Sequence, residues 1–178
     1  LAVYIENVHH SYVRNEIPRI TALLEKVCGK HAGAHPELLL IQQRFADLGA
    51  ELIEHMMKEE QVLFPYLKAL ASGGQAQSCF GAVQNPIRVM MAEHDNAGAL
   101  LVEMRTLSHN FRLPEGACKT YEALYDALLG FERDGRRCAQ VGLGSRRHGH
   151  PVVGHGPRRR HTDRCGRPPQ WRTPPGGQ

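Results

Sequence analysis

The chain has 178 residues and a formal net charge of +4, which fits one domain by the usual size of roughly 100 to 200 residues. The charge is unevenly distributed. Residues 1–134 carry a net charge of −5, whereas residues 135–178 contain ten arginines and a single acid, a net charge of +9. The basic excess therefore belongs to the C-terminal segment, and the acidic remainder argues against nucleic acid as a partner of the whole chain.

Cysteine usage and hydropathy indicate the cellular location. The five cysteines are odd in number, scattered and without a Cys-x-x-Cys pair, which argues against a disulfide framework or a zinc knuckle. A reducing, cytoplasmic location is expected. No apolar run approaches the 18 or so residues that span a bilayer, no secretory signal is visible, and no membrane partner is expected. Because helix-like sequence is already under way at Leu1, we expect the true start of the chain to lie upstream.

The first two helices are long and each contains a proline. The first is predicted from about Tyr4 to Cys28, and Pro18 is expected to bend it, since proline removes one backbone donor. The second is predicted from about Pro36 to Leu70, with Pro65 as a kink or early stop and Gly73-Gly74 opening the next loop. The inward face of the first helix consists of His10, Val13, Ile17, Ile20, Leu24 and Val27.

Two further helices complete the predicted fold. Asn85-Pro86 is a favourable start for the third helix, whose inner face includes His94. After a link at Pro114 to Gly116, the fourth begins near Cys118 and points Tyr121, Leu124, Leu128 and Phe131 inward. Four helices with short links predict an all-α, antiparallel up-down-up-down four-helix bundle.

Metal-ligand side chains stand on the apolar stripes of these helices. Steps of four and three residues from Ile41 lead along the second helix to His55 and Glu59, where a plain bundle would carry leucine. A buried carboxylate costs several kcal/mol unless it is paired, protonated or bound to a cation. In the predicted topology His10, His55, Glu59 and His94 all lie toward one end of the bundle.

This shared level predicts a metal site. For a single histidine, burial with a hydrogen bond is the simpler explanation, but four such residues at one level favour a metal. Imidazole and carboxylate together suit iron or manganese, and zinc usually takes a closed set that often includes thiolate. His9, Lys58 and Glu60 are expected to be solvated. No nucleophile elbow, P-loop or dinucleotide-binding glycine motif is present.

Three sequence runs resemble a known family. Residues 9–18 read HHSYVRNEIP, residues 55–65 read HMMKEEQVLFP, and residues 93–98 read EHDNAG. These runs are similar to those of the iron-sulfur cluster repair di-iron proteins, the repair-of-iron-centres family, whose main domain is hemerythrin-like. The link at residues 113–118, LPEGAC, also fits, so the resemblance covers roughly residues 4–134.

The resemblance implies a bacterial cytoplasmic protein with a non-haem di-iron centre that restores iron-sulfur clusters damaged by nitric oxide or oxidants. Its partners would be damaged iron-sulfur proteins, with nitric oxide or oxygen as small ligand. Iron donation and nitric oxide reduction, the latter an enzymatic activity, are both mechanisms of the family. By position, His10, His55 and His94 would be terminal ligands and Glu59 would bridge the two irons.

The chain departs from the family pattern at two places. Members commonly carry a small N-terminal domain with a cysteine pair ahead of the bundle, and this sequence begins at Leu1, already within the bundle. Their fourth helix ends with His-x-x-x-Glu, which supplies a fourth histidine and a second bridging carboxylate, but Cys138 and Gly142 stand at those places here. The di-iron set is two ligands short, so we expect a weaker or single iron and substoichiometric binding.

Composition changes abruptly after Asp134. Residues 135–178 contain nine glycines, six prolines and ten arginines, and the apolar periodicity ends. We divide the chain into a hemerythrin-like bundle at residues 1–134, with a truncated fourth helix, and a disordered tail at 135–178. A reading-frame shift near Asp134 explains this composition, because GC-rich DNA read out of frame yields Arg, Gly and Pro. A genuine basic tail that binds nucleic acid or an acidic partner is the alternative.

Two other functional classes stay open beside the repair protein. One is a hemerythrin-type module that binds or senses oxygen or nitric oxide. The other is a metal-free helical interaction domain, in which replacing Glu59 by Gln or Leu would stabilise the fold. Iron content separates the second class from the metal-dependent ones.

Overall fold

The computed structural model describes the backbone of residues 1–73 and 84–144, and the side chains of residues 1–73 and 88–137. Within these ranges the chain is helical and contains no strand. The elements are α1 (Ala2–Tyr4), a π-helical segment π1 (Ile5–His10), α2 (Ser11–His31), α3 (Glu37–Lys58), a second π-helical segment π2 (Glu59–Leu63), α4 (Phe64–Ala71), α5 (Gln84–Leu107) and α6 (Lys119–Gly144). Among the described helices, none is long and apolar enough to cross a membrane.

Neither of the two predicted proline interruptions ends its helix. Pro18 lies inside α2, which continues to His31. Pro65 does not stop the second helical stretch either, because α4 carries it on to Ala71. The winding changes just before the proline, where the N–H of Phe64 donates to the carbonyl of Glu59, five residues back. The wider π turn admits a residue that cannot donate to the usual carbonyl.

The helices pack in pairs around one apolar cluster. Helix α2 contacts α3 and α6, while α5 contacts α3 and α6. The cluster consists of residues with little or no exposure, among them Ile20, Leu24, Leu38, Phe45, Leu48, Met104, Tyr121, Leu124 and Phe131. Burying a side chain of this size contributes about 1.5–3 kcal/mol, so this cluster is the main source of stability. It extends to the cavity beside the buried histidines, which Leu48 and Phe131 also line.

Helix α6 runs beyond the predicted domain boundary. Its backbone continues through Gly135 to Gly144, and the first proline of the C-terminal segment comes later, at Pro151. Arg136 pairs with Glu132 one turn earlier, at 2.6 Å between Nη2 and Oε1. The fourth helix is therefore longer than the sequence predicts. Residues 145–178, most of the predicted tail, lie outside the described residues, and so does the side chain of Cys138. The tail and the boundary therefore stay predictions.

Candidate metal centre

Two π-helical segments carry the polar residues of the buried site. In π1 the N–H of Ser11 donates to the carbonyl of Glu6, and this wider turn contains His10. In π2 the turn begins at Glu59. Single π turns inside α-helices are rare overall, and many of those that occur lie at functional sites. The backbone is thus irregular at the two places where the sequence predicts ligands from the first and second helices.

The structure brings all four predicted residues together. Nε2 of His10 lies 3.0 Å from Oε2 of Glu59, and Nε2 of His55 lies 3.6 Å from Oε1 of the same carboxylate. Nε2 of His94 is 2.9 Å from Nε2 of His55. Ligand atoms of His55, Glu59 and His94 all lie within 4.8 Å of one another, a separation over which one cation can gather them.

Burial and charge distinguish Glu59 from an ordinary glutamate. Glu59 is only 9% exposed. Burial by itself raises the pKa of this carboxyl, but hydrogen bonds and charge from His10 and His55 outweigh burial and lower the pKa from 4.5 to about 2. The carboxylate is therefore ionised at neutral pH. The predicted compensation of a buried charge is present, and histidines supply it.

The histidines respond in different directions. Burial lowers the pKa of His10, but its hydrogen bonds to Glu59 and Glu60 outweigh burial, so the net shift is upward. The pKa of His55 is likewise raised, against burial, by Glu59 and Glu93. Burial and the neighbouring charge of His55 lower the pKa of His94. Protons of His10 and His55 therefore lie between a histidine nitrogen and a carboxylate oxygen. A metal cation that binds these atoms displaces the protons.

Outer carboxylates orient the rings of His10 and His55. Nδ1 of His10 donates to Oε1 of Glu60 at 2.6 Å, and Nδ1 of His55 donates to Oε2 of Glu93 at 2.8 Å. Arg14 holds the other oxygen of Glu60 at 2.8 Å. Because a carboxylate only accepts, Nδ1 carries the proton, and Nε2 is the nitrogen left for a metal. Metal-bound histidines almost always have such a partner.

A cavity of about 170 Å³ adjoins these side chains. Since one water molecule takes about 30 Å³, the space admits metal ions together with a small ligand. The polar wall includes His10, His55, Glu59 and His94. The apolar wall includes Val13, Leu48, Leu52, Leu101 and Phe131. The residues present therefore fit a hard or intermediate cation bound by imidazole and carboxylate.

Comparison with known proteins agrees with this geometry. Residues 2–134 match the hemerythrin HHE cation binding domain. The chain belongs to the hemerythrin HHE family. Membership in a cation-binding family, together with the His/Glu cluster, indicates a metal-binding domain.

Several curated relatives of this hemerythrin-like domain carry one kind of name. The iron-sulfur cluster repair protein ScdA of Staphylococcus haemolyticus is 29% identical over 134 residues, covering 75% of this chain and 59% of the relative. The iron-sulfur cluster repair protein YtfE of Edwardsiella ictaluri is 36% identical over 128 residues, covering 72% and 54%. YtfE of Yersinia pseudotuberculosis is 34% identical over 134 residues, covering 75% and 57%. The chain thus spans a little over half the length of these relatives.

One sequence prediction about the hemerythrin-like domain is wrong. His9 is not solvated: it is 5% exposed, with Nδ1 3.2 Å from Oδ1 of Asp134. The prediction assumed a regular α-helical turn of 100° per residue, and π1 does not keep that angle, so both His9 and His10 turn inward. Glu60 and Lys58 are only partly exposed, and Glu60 serves as the outer carboxylate of His10.

Glu93 belongs to the site but is not among the residues predicted from the sequence. It accepts from His55 and from Lys58. Its position directly before His94 was a usable signal, because an acid beside one ligand is well placed to support a ligand on the facing helix. The same signal applies to Glu60, which directly follows Glu59.

Proposed function

We propose that this chain repairs damaged iron-sulfur clusters with iron held by His10, His55, Glu59 and His94. The observation that carries the proposal is the position of Glu59, a buried ionised carboxylate whose two oxygens face histidines of different helices. The names of the relatives supply the biological role, and the donor set supplies the metal chemistry. Because the chain spans little more than half of those relatives, the activity, substrates and partners are all part of the proposal.

The donor set and the names of the relatives together favour iron. Imidazole with carboxylate suits iron or manganese, whereas soft thiolate sets favour zinc or copper(I). No cysteine belongs to the cluster among the described residues. Each of the two oxygens of Glu59 has its own histidine, which supports a bridging role between two metal positions. In this proposal Oε1 would serve one position together with His55 and His94, and Oε2 would serve the other together with His10.

The arrangement of the helices supports an antiparallel four-helix bundle around this site. His10 at the start of the first stretch meets Glu59 in the second, while Cys28 at its end meets Leu38. Likewise His55 meets Glu93, while Arg44 meets Glu103 farther along. Such crossed pairings are those of neighbouring helices that run in opposite directions.

The bound iron would supply either ions for transfer to a depleted cluster or a redox centre for nitric oxide. The protein residues perform the other tasks. Glu60 and Glu93 hold the Nδ1 protons of His10 and His55, which keeps both Nε2 atoms directed at the metal. The apolar wall of Leu48, Leu52 and Leu101 limits water at the site. We propose damaged iron-sulfur proteins as partners and the cytoplasm as location.

Cluster recovery tests the function directly. The full chain is loaded with Fe²⁺ without oxygen and mixed with a [4Fe-4S] protein previously damaged by nitric oxide, and the return of cluster absorbance is followed. His55→Ala and Glu59→Leu should abolish recovery, whereas Glu51→Gln, an exposed acid on the same helix, should retain it. Equal recovery by all variants would rule out a role for the site.

Further measurements distinguish the repair function from the other functional classes. A nitric oxide electrode reports whether the iron-loaded chain consumes nitric oxide, as reduction at the centre requires. Reversible binding of oxygen or nitric oxide without cluster recovery would indicate a sensing module. Absence of iron from the purified chain, and from a chain incubated with Fe²⁺, would indicate a metal-free interaction domain.

A further inference from the structure

His9 is a buried histidine that the ligand set described above does not use. Its Nδ1 lies 3.2 and 3.3 Å from the two oxygens of Asp134. Its Nε2 is buried and has no hydrogen-bond partner within the described part of the chain. A buried polar atom without a partner destabilises the folded state. Because His9 lines the site cavity, a ligand bound in that cavity is a candidate partner for this atom.

The hydrogen bonding of His9 repeats that of two predicted ligands. His10 and His55 each donate from Nδ1 to a carboxylate outside the cluster, and His9 has the same relationship with Asp134. Since the carboxylate of Asp134 accepts the Nδ1 proton, neutral His9 keeps its lone pair on Nε2. This is the tautomer that binds metals through Nε2, with the ring held by a second residue.

The second metal position lacks one imidazole. His55 faces Oε1 of Glu59, and His94 lies in the same cluster as these two residues. Around Oε2 of Glu59 the predicted set supplies only His10. His9 precedes His10 in π1, is buried like it and lines the same cavity.

We propose that His9 is a metal ligand, the second histidine of the position shared by His10 and Oε2 of Glu59. Each position then has two imidazoles and one carboxylate oxygen, a combination typical of non-haem iron. Asp134 is the positioning residue that fixes the tautomer of His9. In this way a residue of π1 replaces the histidine expected from the fourth helix, where Cys138 stands. The inference rests on the proposed function, because it requires that the cluster bind metal.

Metal stoichiometry tests the role of His9. The full chain, His9→Ala, His9→Gln and His31→Ala are titrated with Fe²⁺ without oxygen, and separately with Co²⁺, whose absorption bands report nitrogen and oxygen ligands. His31 is a partly buried histidine remote from the cluster and serves as the matched control. Because His9 would complete the second position, we expect two equivalents for the unaltered chain and His31→Ala, in place of the substoichiometric binding predicted from the sequence. Both His9 variants should bind the second equivalent at least tenfold more weakly and the first equivalent within about twofold.

Two additional measurements separate ligation from structural damage. Free imidazole should restore the second equivalent to His9→Ala, because the truncation leaves space for it, whereas a misfolded site would not respond. Asp134→Asn keeps His9 but replaces its acceptor with an amide. It should weaken the second equivalent by about 10- to 100-fold, as loss of an outer-shell partner typically does. Circular dichroism of the metal-free variants establishes that each is folded.

The possible failures are distinguishable. Unchanged affinity for two equivalents in both His9 variants would overturn the role of His9 while leaving the proposed function intact. A single equivalent in the unaltered chain, bound equally by the His9 variants, would also overturn it. Binding of no metal by the unaltered chain would overturn both proposals. Loss of the first equivalent in His55→Ala would support the assignment of that equivalent to the position that contains His55.

Discussion

Glu59 and His10, separated by 49 residues in the chain, are joined through Oε2 and Nε2 at 3.0 Å. Both atoms belong to buried side chains, and both lie in segments where the helix widens into a π turn. Each group therefore has an ionic partner in the metal-free protein. That pairing makes the protein stable without metal and keeps the ligands close together for binding it.

Replacing Glu59 by Gln should abolish tight metal binding and leave the fold intact. Gln keeps the size and one acceptor oxygen but removes the negative charge that a cation needs. In the metal-free chain the change leaves His10 and His55 with a weaker partner, and we expect a loss of about 1–3 kcal/mol in the free energy of unfolding at pH 6. Metal analysis and urea denaturation measure the two effects, with Glu51→Gln as the exposed control. A Glu59→Gln chain more stable than the unaltered one would instead support the metal-free interaction domain.

Stability of the metal-free chain should be greatest between about pH 4.5 and 6.5. The pKa of Glu59 is lowered to about 2, so its contribution is present above 4.5 and is lost as pH falls toward 2. The pKa values of His10 and His55 are raised above 6.5, so their contributions are present below 6.5 and are lost as pH rises. His94, with a lowered pKa, acts in the opposite direction. Denaturation midpoints at half-unit pH intervals test the profile.

The metal-loaded chain should show the opposite trend from pH 6 to 8. Metal binding requires deprotonated histidines, so affinity rises with pH, and tighter binding stabilises the folded state. The difference in thermal midpoint between loaded and metal-free chain should therefore widen across this interval. A constant difference would show that the histidines do not ligate the metal.

Removal of the outer carboxylates should weaken metal binding without removing a ligand. Glu60→Gln and Glu93→Gln replace the acceptors of His10 and His55, and we expect about 10- to 100-fold weaker affinity from each. Glu103→Gln is the control, because that acid pairs with Arg44 on an exposed surface. Competition with a chromophoric chelator gives the affinities. Equal affinities for all three variants would show that the outer carboxylates do not orient the rings.

The sequence predicts the helices and the closeness of His10, His55, Glu59 and His94 for a physical reason, while their role as ligands stays a prediction. His55 and Glu59 stand where apolar periodicity demands leucine, and a costly residue on a buried stripe is visible without a structure. His9 is not predicted because apolar periodicity assumes a constant turn angle, which the π turn breaks. Glu60 and Glu93 resemble solvated acids in the sequence. Their positions next to His94 and Glu59 mark them as candidates, but which atom of a facing helix each one reaches depends on how the helices pack.

Cys118 should react with electrophiles at unusually low pH. A hydrogen bond from His31, whose Nε2 lies 3.2 Å from its Sγ, and backbone N–H groups at the start of α6 lower the thiol pKa to about 7. Alkylation by iodoacetamide, followed by peptide mass spectrometry, should reach half its maximal rate near pH 7. His31→Ala should move that midpoint upward. Cys28, whose pKa burial raises, is the internal comparison and should stay largely unmodified at pH 7. Equal rates for the two thiols would contradict the prediction.

Arg105 should be the more important of the two partners of Glu132. Glu132 is 2% exposed and pairs with Arg105 from α5 and with Arg136 from the next turn of α6. Arg105→Leu leaves a buried carboxylate with only the largely exposed Arg136, and we expect a loss of about 2–4 kcal/mol in the free energy of unfolding. Arg136→Leu should cost less than about 1 kcal/mol, since its side chain is mostly in solvent.

The double variant decides whether the charge of Glu132 causes this loss. Adding Glu132→Leu to Arg105→Leu removes the unpaired carboxylate and leaves an apolar contact between α5 and α6. Replacing a buried ion pair by apolar residues is often neutral or stabilising, whereas removing one partner is not. The double variant should therefore be more stable than Arg105→Leu alone in urea denaturation. A double variant that is less stable than the single would show that packing of the Arg105 side chain, rather than its charge, holds the two helices together.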